Sequence, residues 1–295
     1  MNIKMQIQNQ RISTIIYVTL AVTLLITVLA SAIVMAQGGR GQGGRGQGAR
    51  GQAAPAAPSP IRRGPDGKPD LTGFYQASAG GANYGLEKHP SDFLTPGTEG
   101  VVVDPPDGKL PYQPWARAER INRELPERGY DDPTAHCFVA GVPRAMYTPS
   151  PYQILQPPGY VILLFERMAW RVIPLDGRPH IADNIRLWMG DSVGHWEGDT
   201  LVVDTKNFNG KVWLNEVGDV VSHAETVVER FIPVNGDLVT YRATVTDPLV
   251  YTAPWTIEMP LRRQNGELLE VACHEDNGDL QNLKDVRDAA RAARK

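Results

Sequence analysis

The sequence predicts an all-β fold: an antiparallel up-and-down barrel with an irregular N-terminal wrap and short flanking helices. Three observations lead to this prediction. From residue 150 onward, short segments with strand periodicity are separated by turn dipeptides, which supply the positive-φ residues of tight hairpins. No helix long enough for a βαβ crossover separates them, which excludes a parallel sheet. About seven or eight hairpin-linked strands tend to close into a barrel, because closure removes exposed edges.

The predicted strands follow the apolar pattern of the second half of the chain. Residues 238–247 alternate most clearly between apolar and polar side chains, and residues 257–261 and 269–273 repeat the pattern. Residues 160–167 and 201–205 are apolar on both faces, which predicts fuller burial. The turn dipeptides between these segments are Asp176-Gly177, Gly198-Asp199, Asn209-Gly210, Asn235-Gly236 and Asn265-Gly266.

Helix is predicted only at the flanks of the barrel. Residues 113–125 form a polar helix that ends at Pro126. Residues 280–294 place their apolar side chains on one stripe, which is the spacing of a helix packed on a surface. Residues 64–112 are rich in Gly and Pro, and we expect them to wrap the barrel as irregular structure.

Residues 1–36 have the pattern of an export signal. Lys4 and Arg11 precede an uncharged run over residues 14–36, and Val34-Met35-Ala36 fits the small-x-small cleavage rule. The run is also long enough to span a bilayer, so an uncleaved anchor is the alternative. In either case the rest of the chain is expected beyond the membrane, either in the periplasm or outside the cell, or anchored to the outer face of the inner membrane.

The remaining sequence divides into a linker, one domain and a tail. Residues 37–63, rich in Gly, Arg and Gln and then in Ala and Pro, predict a disordered linker. They are followed by a single barrel domain over residues 64–282 and by a C-terminal helix or tail over residues 283–295. Residues 1–63 contain seven Lys and Arg but no acid, which leaves the other residues with 33 acidic against 23 basic groups. A domain this acidic is a poor partner for nucleic acid, and membrane contact is expected only through an uncleaved N-terminus.

Four segments resemble a large, mostly uncharacterised group of exported bacterial proteins. They are residues 64–73 (GPDGKPDLTG), 132–137 (DPTAHC), 190–205 (GDSVGHWEGDTLVVDT) and 272–277 (ACHEDN). The resemblance covers nearly everything from residue 64 to residue 282, and it implies export without implying a reaction. The final hairpins more loosely resemble the lipocalin-like (calycin) barrels, which hold a small apolar ligand. That second likeness concerns architecture only.

Histidines beside carboxylates are the candidate catalytic groups. His274 and Glu275 stand at the end of the last predicted strand, and the strand period places His274 on a mixed face that suits a polar-lined cavity. Asp191 and His195 share a face of an extended segment, so the carboxylate could orient the imidazole as a general base. Structural roles, in a turn for Asp191 and in a loop hydrogen bond for His274, are the alternative.

Local signatures for metals and cofactors are missing from the sequence. The six histidines form no His-x-His or His-x-x-x-His pair, although a metal site assembled from distant strands stays open. The Gly-rich tract lies in the linker, with no strand before it and no helix after it, so it is not a phosphate-binding loop. We therefore predict no cofactor.

Large aromatic and arginine side chains are the candidate ligand-binding groups. These candidates are Arg186, Trp188, Tyr241, Arg144 and Tyr147. Large aromatics in a barrel also serve as ordinary core residues, so that role stays open for them. A concave apolar pocket with few polar groups is the usual small-molecule site.

Cys137 and Cys273 are predicted to form a disulfide, because an exported chain meets an oxidising compartment. Cys137 precedes the first strand of the predicted barrel and Cys273 lies in the last one. First and last strands are neighbours in a closed barrel, so a Cα separation of about 4.4–6.8 Å is within reach. The alternative is that Cys273 is a buried small hydrophobic residue beside Leu269 and Val271.

The leading functional hypothesis is an exported barrel that binds, and could also convert, a small organic molecule in its cavity. One alternative is an enzyme, a lyase, isomerase or hydrolase, that uses His and carboxylate acid–base chemistry. A second alternative is a structural or surface-interaction module, which predicts no cavity and an exposed apolar patch.

Overall fold

The structure, a computed structural model, describes residues 58–77, 81–91, 95–167, 169–275 and 277–294. The predicted export segment and nearly all of the predicted linker lie outside the described residues. Within the described ranges, no helix combines the length and the apolar character needed to cross a membrane.

The described residues form ten strands in one antiparallel sheet, which curls into a nearly closed barrel. The strands are β1 (Gly73–Ala77), β2 (Val102–Asp104), β3 (Tyr152–Leu155), β4 (Tyr160–Phe165), β5 (Ala169–Pro174), β6 (Asp191–Glu197), β7 (Thr200–Lys206), β8 (Thr226–Pro233), β9 (Leu238–Thr246) and β10 (Trp255–Gln264). All except β2 follow one another around the barrel in chain order, and β10 pairs back with β1. The predicted antiparallel up-and-down barrel is confirmed.

Side chains close the seam between β5 and β6, since these two described strands form no backbone ladder with each other. Gly194 of β6 lies against β5, and a Cβ at this position would stand 2.8 Å from Cγ2 of Ile173. The missing side chain lets the two strands approach. Arg171 of β5 also donates from Nε to Oγ of Ser192 in β6 at 2.8 Å.

The barrel interior is a packed core. In β9 the predicted alternation is confirmed, because Val239, Tyr241, Ala243 and Val245 are at most 4% exposed while the residues between them are half-buried. Aromatic side chains from other elements fill the same space: Tyr75, Tyr152, Phe165, Phe231 and Trp255. Burial of side chains of this size is the main force that stabilises the barrel. The centre of the barrel is therefore filled by side chains, and the cavity described below lies at its end.

Within the described residues, two α-helices flank the barrel, as predicted. Helix α1 (Pro114–Arg123) begins with a proline, whose missing N–H is not needed in a first turn, and a 3₁₀ turn over Pro126–Asp131 follows it. Helix α2 (Gly278–Ala293) begins after Asn277, whose side chain accepts a hydrogen bond from the N–H of Leu280 at 3.1 Å.

The prediction of a last strand over residues 269–273 is wrong. Residues 269–273 are irregular, and the sheet ends with β10 at Gln264. Most of β10 already has partners on both edges, with β9 along residues 255–262 on one side, and with β2 at residues 256–257 and β1 at residues 261–264 on the other. An alternating segment that follows β10 has no free neighbour there, and Leu269 is 64% exposed.

Two predicted boundaries also need correction. Residues 64–112 are not wholly irregular, because β1 lies in the barrel between β3 and β10. This strand is short and begins with a glycine, so its pairing on both sides outweighs its weak local signal. Residues 58–63, expected to end the linker, already contact the barrel: the guanidinium of Arg63 donates to both carboxylate oxygens of Asp199 at 2.9 and 2.7 Å. The described part of the chain from residue 58 onward therefore belongs to the compact domain rather than to the linker.

Candidate functional site

A cavity of about 630 Å³ lies between the C-terminal segment and the end of the barrel where β3 begins and β4 ends. We call it the end pocket. Its volume falls within the range of about 300–1,000 Å³ that is typical of small-molecule sites. Apolar side chains that line it are Leu125, Phe138, Phe165, Val217, Leu283 and Val286.

The polar wall of the end pocket is a chain of hydrogen bonds through four side chains. Arg144 is 2% exposed and donates from Nη1 and Nη2 to the two oxygens of Asp132 at 3.0 and 2.8 Å. Its Nε donates to Oδ1 of Asn83 at 3.1 Å. The amide of Asn83 then donates from Nδ2 to Oε1 of Glu216 at 2.7 Å. The planar guanidinium thus orients Asn83, and Asn83 orients Glu216.

Desolvation perturbs the pKa of two groups in and behind this wall, Glu216, which is itself an exposed residue, and Tyr147. Desolvation raises the pKa of the Glu216 carboxyl, and the charge of Asp132 adds to this effect against the opposing charge of Arg144. The pKa of Glu216 is therefore above its ordinary value. Tyr147, a predicted ligand-binding residue, is buried behind this wall and donates from Oη to the carbonyl of Leu214 at 2.8 Å. Burial raises the pKa of Tyr147 well above its usual value.

A disulfide joins Cys137 and Cys273, as predicted, with a Cα separation of 5.8 Å. The expected positions of the two cysteines in the barrel are wrong. Cys137 follows the 3₁₀ turn Pro133–His136, between β2 and β3, and Cys273 lies in the irregular segment after β10. Both cysteines line the end pocket. The disulfide therefore holds the C-terminal segment against the pocket wall.

The predicted catalytic pair at the end of the last strand is not inside the barrel. His274 is exposed and lies in a turn, because the segment that carries it pairs with no described strand. Its neighbour Glu275 is also exposed and lines the end pocket. The expectation that His274 faces the barrel interior is wrong, and its catalytic role stays a prediction.

Asp191 and His195 share the outer face of β6, as their spacing predicts, but each has a different partner. Asp191 accepts hydrogen bonds from Nη1 and Nη2 of Arg178 at 3.1 and 2.7 Å and contacts Nδ1 of His180 at 2.9 Å. His195 is exposed, and its Nε2 lies 3.2 Å from Oε1 of Glu197. The general-base pair expected of Asp191 and His195 is therefore not formed.

Asp191 instead orients a histidine that the sequence analysis missed. Burial raises the pKa of Asp191, but the donors Arg178, the N–H of Ile181 and His180 outweigh it and hold this pKa below its usual value. The Nε2 of His180 lies 3.7 Å from Oδ2 of Asp204. An ionised Asp that holds one nitrogen of an imidazole is the minimal arrangement for general-base chemistry. No sequence signal marks this pair, because His180 lies in a loop outside β6.

Four of the five predicted ligand-binding residues, Tyr147 among them, lie outside the wall of the end pocket, and Arg144 is the one that lines it. Arg186 donates from Nη1 to the carbonyl of His223 at 3.2 Å on the protein surface. Trp188 stacks on Phe138, with ring centroids 4.7 Å apart, and so supports a ring that lines the pocket. Tyr241 lies in the barrel interior.

A buried polar cluster surrounds Tyr241. Arg171 donates from Nη1 to Oε1 of Glu229 at 2.9 Å and from Nη2 to Oγ1 of Thr205 at 2.7 Å, and its Nη2 also contacts Oε2 of Glu229. Tyr241 donates from Oη to Oε1 of Glu229 at 2.8 Å. Arg171 and Glu229 stand in phase with the inward-facing apolar residues of β5 and β8, a signal that the sequence analysis overlooked. Because these charges are paired, the cluster serves the structure of the barrel.

Glu225, immediately before β8, is a second buried carboxyl. It is 1% exposed, and neither carboxyl oxygen accepts a hydrogen bond from any described residue. Burial raises the pKa of Glu225 well above its usual value, and the nearby charge of Asp247 raises it further. The folded protein therefore keeps a proton that the unfolded chain loses above about pH 4.3.

The variant Glu225→Gln is expected to gain stability relative to the wild type as the pH rises. Above the unfolded-state pKa, retaining the Glu225 proton costs the wild type up to about 1.4 kcal/mol per pH unit, and the amide carries no such cost. Urea unfolding should show a difference between the two proteins that grows as the pH rises from about 5 to about 8. A stability difference that does not change with pH would contradict a raised pKa of Glu225 in the folded protein. Glu258→Gln, at an exposed carboxylate 3.2 Å from Arg242, is the matched control.

No family model, curated protein or solved structure matches the chain. The resemblance of residues 190–205 to a group of exported bacterial proteins therefore stays a prediction. Among the described residues, no group of three or more His, Cys, Asp and Glu side chains is placed to hold a metal ion.

Proposed function

We propose that this chain is an exported barrel protein that binds a small organic molecule in the end pocket. The observation that carries this proposal is a cavity of about 630 Å³ with a mostly apolar wall and one oriented polar chain, Asp132–Arg144–Asn83–Glu216. Apolar walls supply most of the affinity of such sites, and a few fixed polar groups set the orientation of the ligand.

Export is supported by two independent features. The Cys137–Cys273 disulfide is of the kind that persists in oxidising compartments outside the cytosol. The charge and hydrophobicity of residues 1–36 follow the pattern of an export segment.

The arrangement of the side chains favours binding over catalysis. The Asp191–His180 pair has general-base geometry, yet neither residue lines the end pocket. Asp191 also lies on the outer face of β6, and His180 lies in a loop outside that strand. A surface-interaction module was expected to have no cavity, so the end pocket weighs against that alternative. Conversion of the ligand would require an acid or base within the pocket, where Glu216 is the best-positioned carboxyl.

A thermal-shift screen of the protein against small organic cations, anions and neutral compounds tests the proposal. A ligand at about 100 times its Kd adds about 2.7 kcal/mol of stability, which is expected to raise the Tm by about 5–10 °C for a domain of this size. The variant Ala272→Trp, which places an indole in the pocket wall, is expected to lose this shift.

The matched control is Ala182→Trp, which adds the same side chain at an exposed residue outside the pocket lining. It should keep the full shift. A screen in which no compound raises the Tm, or in which Ala272→Trp responds like the wild type, would contradict binding in the end pocket.

A further inference from the structure

We infer that the end pocket selects organic cations, specifically molecules with a protonated amine next to an apolar or aromatic body, and that Glu216 binds the amine. This inference rests on the proposed function and adds the chemical class of the ligand. Three features of the pocket support it: the orientation of Glu216, the uneven charge of the wall and the two phenylalanine rings.

Glu216 is held in place but is not neutralised. Asn83 donates to Oε1 of Glu216, while Oε2 receives no hydrogen bond from the described residues. Arg144 forms no ion pair with Glu216, because both of its terminal nitrogens bind Asp132, and its charge only partly offsets the rise in the Glu216 pKa. Asn83 thus fixes the position of the carboxylate and leaves one oxygen for a ligand donor. An ammonium group offers three such donors.

The charged side chains of the wall leave a negative excess. Arg123 is paired with Glu119 at 2.8 Å, and Glu124 is paired with Arg120 at 3.1 Å. Arg167 donates to Oγ of Ser150 and forms no ion pair with a described residue. The pocket-lining carboxylates that form no ion pair with a described residue are Glu216, Glu275 and Asp279. Three carboxylates against one guanidinium favour a cationic ligand and repel an anionic one.

The apolar part of the wall gives the apolar or aromatic body of the ligand a surface to pack against. Phe138 lines the pocket and is held by its stack on Trp188, and Phe165 lies at the end of β4. Aromatic rings attract cations through their faces as well as packing against apolar groups. A pocket of about 630 Å³ with these rings is large enough for an aromatic amine.

Three matched probes test the charge selectivity: tryptamine, tryptophol and indole-3-propionate. They share an indole ring and a two-carbon chain, and they end in an ammonium, a hydroxyl and a carboxylate. Calorimetric titration of the wild-type protein at neutral pH is expected to rank tryptamine at least about tenfold tighter than tryptophol, since charge-assisted hydrogen bonds are the strong ones. Indole-3-propionate is expected to bind most weakly.

The isosteric variant Glu216→Gln isolates the charge. It keeps an oxygen that can accept from Asn83, so its Tm without ligand is expected to stay within a few degrees of the wild type. It should lose the preference for tryptamine over tryptophol. Glu258→Gln removes the same charge from the outer face of β10, away from the pocket lining, and should keep that preference.

Each outcome decides between the two proposals. Tightest binding by indole-3-propionate, or an unchanged preference in Glu216→Gln, would overturn the cation assignment and leave the binding function in place. If other compounds bind in the thermal-shift screen and tryptamine does not, the cation assignment is likewise overturned and the binding function stays in place. If nothing binds in either experiment, both proposals are wrong.

Discussion

Replacing Arg171 by methionine is expected to lower the free energy of unfolding by about 3–5 kcal/mol, because it leaves the Glu229 carboxylate buried without its counterion. The two side chains are 3% and 0% exposed, so water cannot take the place of the lost guanidinium. The same substitution removes the hydrogen bond to Ser192 that links β5 to β6 across the barrel seam. Urea unfolding monitored by tryptophan fluorescence measures the loss.

Two controls separate the buried charge from the loss of packing. The double variant Arg171→Met/Glu229→Gln removes both charges and is expected to recover a large part of the stability. Arg242→Met breaks an exposed ion pair with Glu258 and should cost less than about 1 kcal/mol. A loss of under about 1 kcal/mol for Arg171→Met itself would contradict a buried, paired Arg171.

Removing the disulfide with Cys137→Ser/Cys273→Ser is expected to destabilise the protein by about 2–5 kcal/mol. The bond connects cysteines 136 positions apart, and the chain-entropy model gives a large gain for so long a loop. Without it, the C-terminal segment keeps weaker attachments, such as the hydrogen bond from Nδ2 of Asn277 to the carbonyl of Ala135 at 3.1 Å. We expect ligand binding in the end pocket to weaken as well.

Urea unfolding of the double variant under non-reducing conditions measures this effect. Wild-type protein treated with a reductant is the control, and it should unfold at the same urea concentration as the variant. Unfolding of the variant at the wild-type midpoint would show that the disulfide contributes nothing to stability.

Periodicity predicted the strands whose two faces differ. In β9 one face meets the core and the other meets solvent, so the sequence alternates in step with the backbone. Two of the predicted turns, Gly198-Asp199 and Asn235-Gly236, join paired strands. The same kind of dipeptide at Asn265-Gly266 leads to no strand, because β10 already has neighbours on both edges. A turn dipeptide acts only on its own residues, whereas a new strand also needs a neighbouring strand with an unpaired edge.

The candidate site was predictable only in part. Arg144, Glu275 and the two cysteines were identified, but the partners of Arg144 in the end pocket were not. Asn83, Asp132 and Glu216 lie in separate loops with no fixed spacing between them, so only the fold brings them together. The cysteine pairing was predicted correctly although the positions assigned to the cysteines were wrong. The argument from the oxidising compartment led to the correct pairing, because it does not depend on which strands carry the cysteines.

A crystal structure of the protein soaked with tryptamine tests most directly whether the end pocket is a binding site. We expect tryptamine between the barrel end and the C-terminal segment, with its indole against Phe138 or Phe165 and its ammonium at the carboxylate of Glu216. Tryptamine bound elsewhere with the pocket empty, or a C-terminal segment that fills the space between Arg144 and Cys273, would contradict a ligand pocket at this end of the barrel.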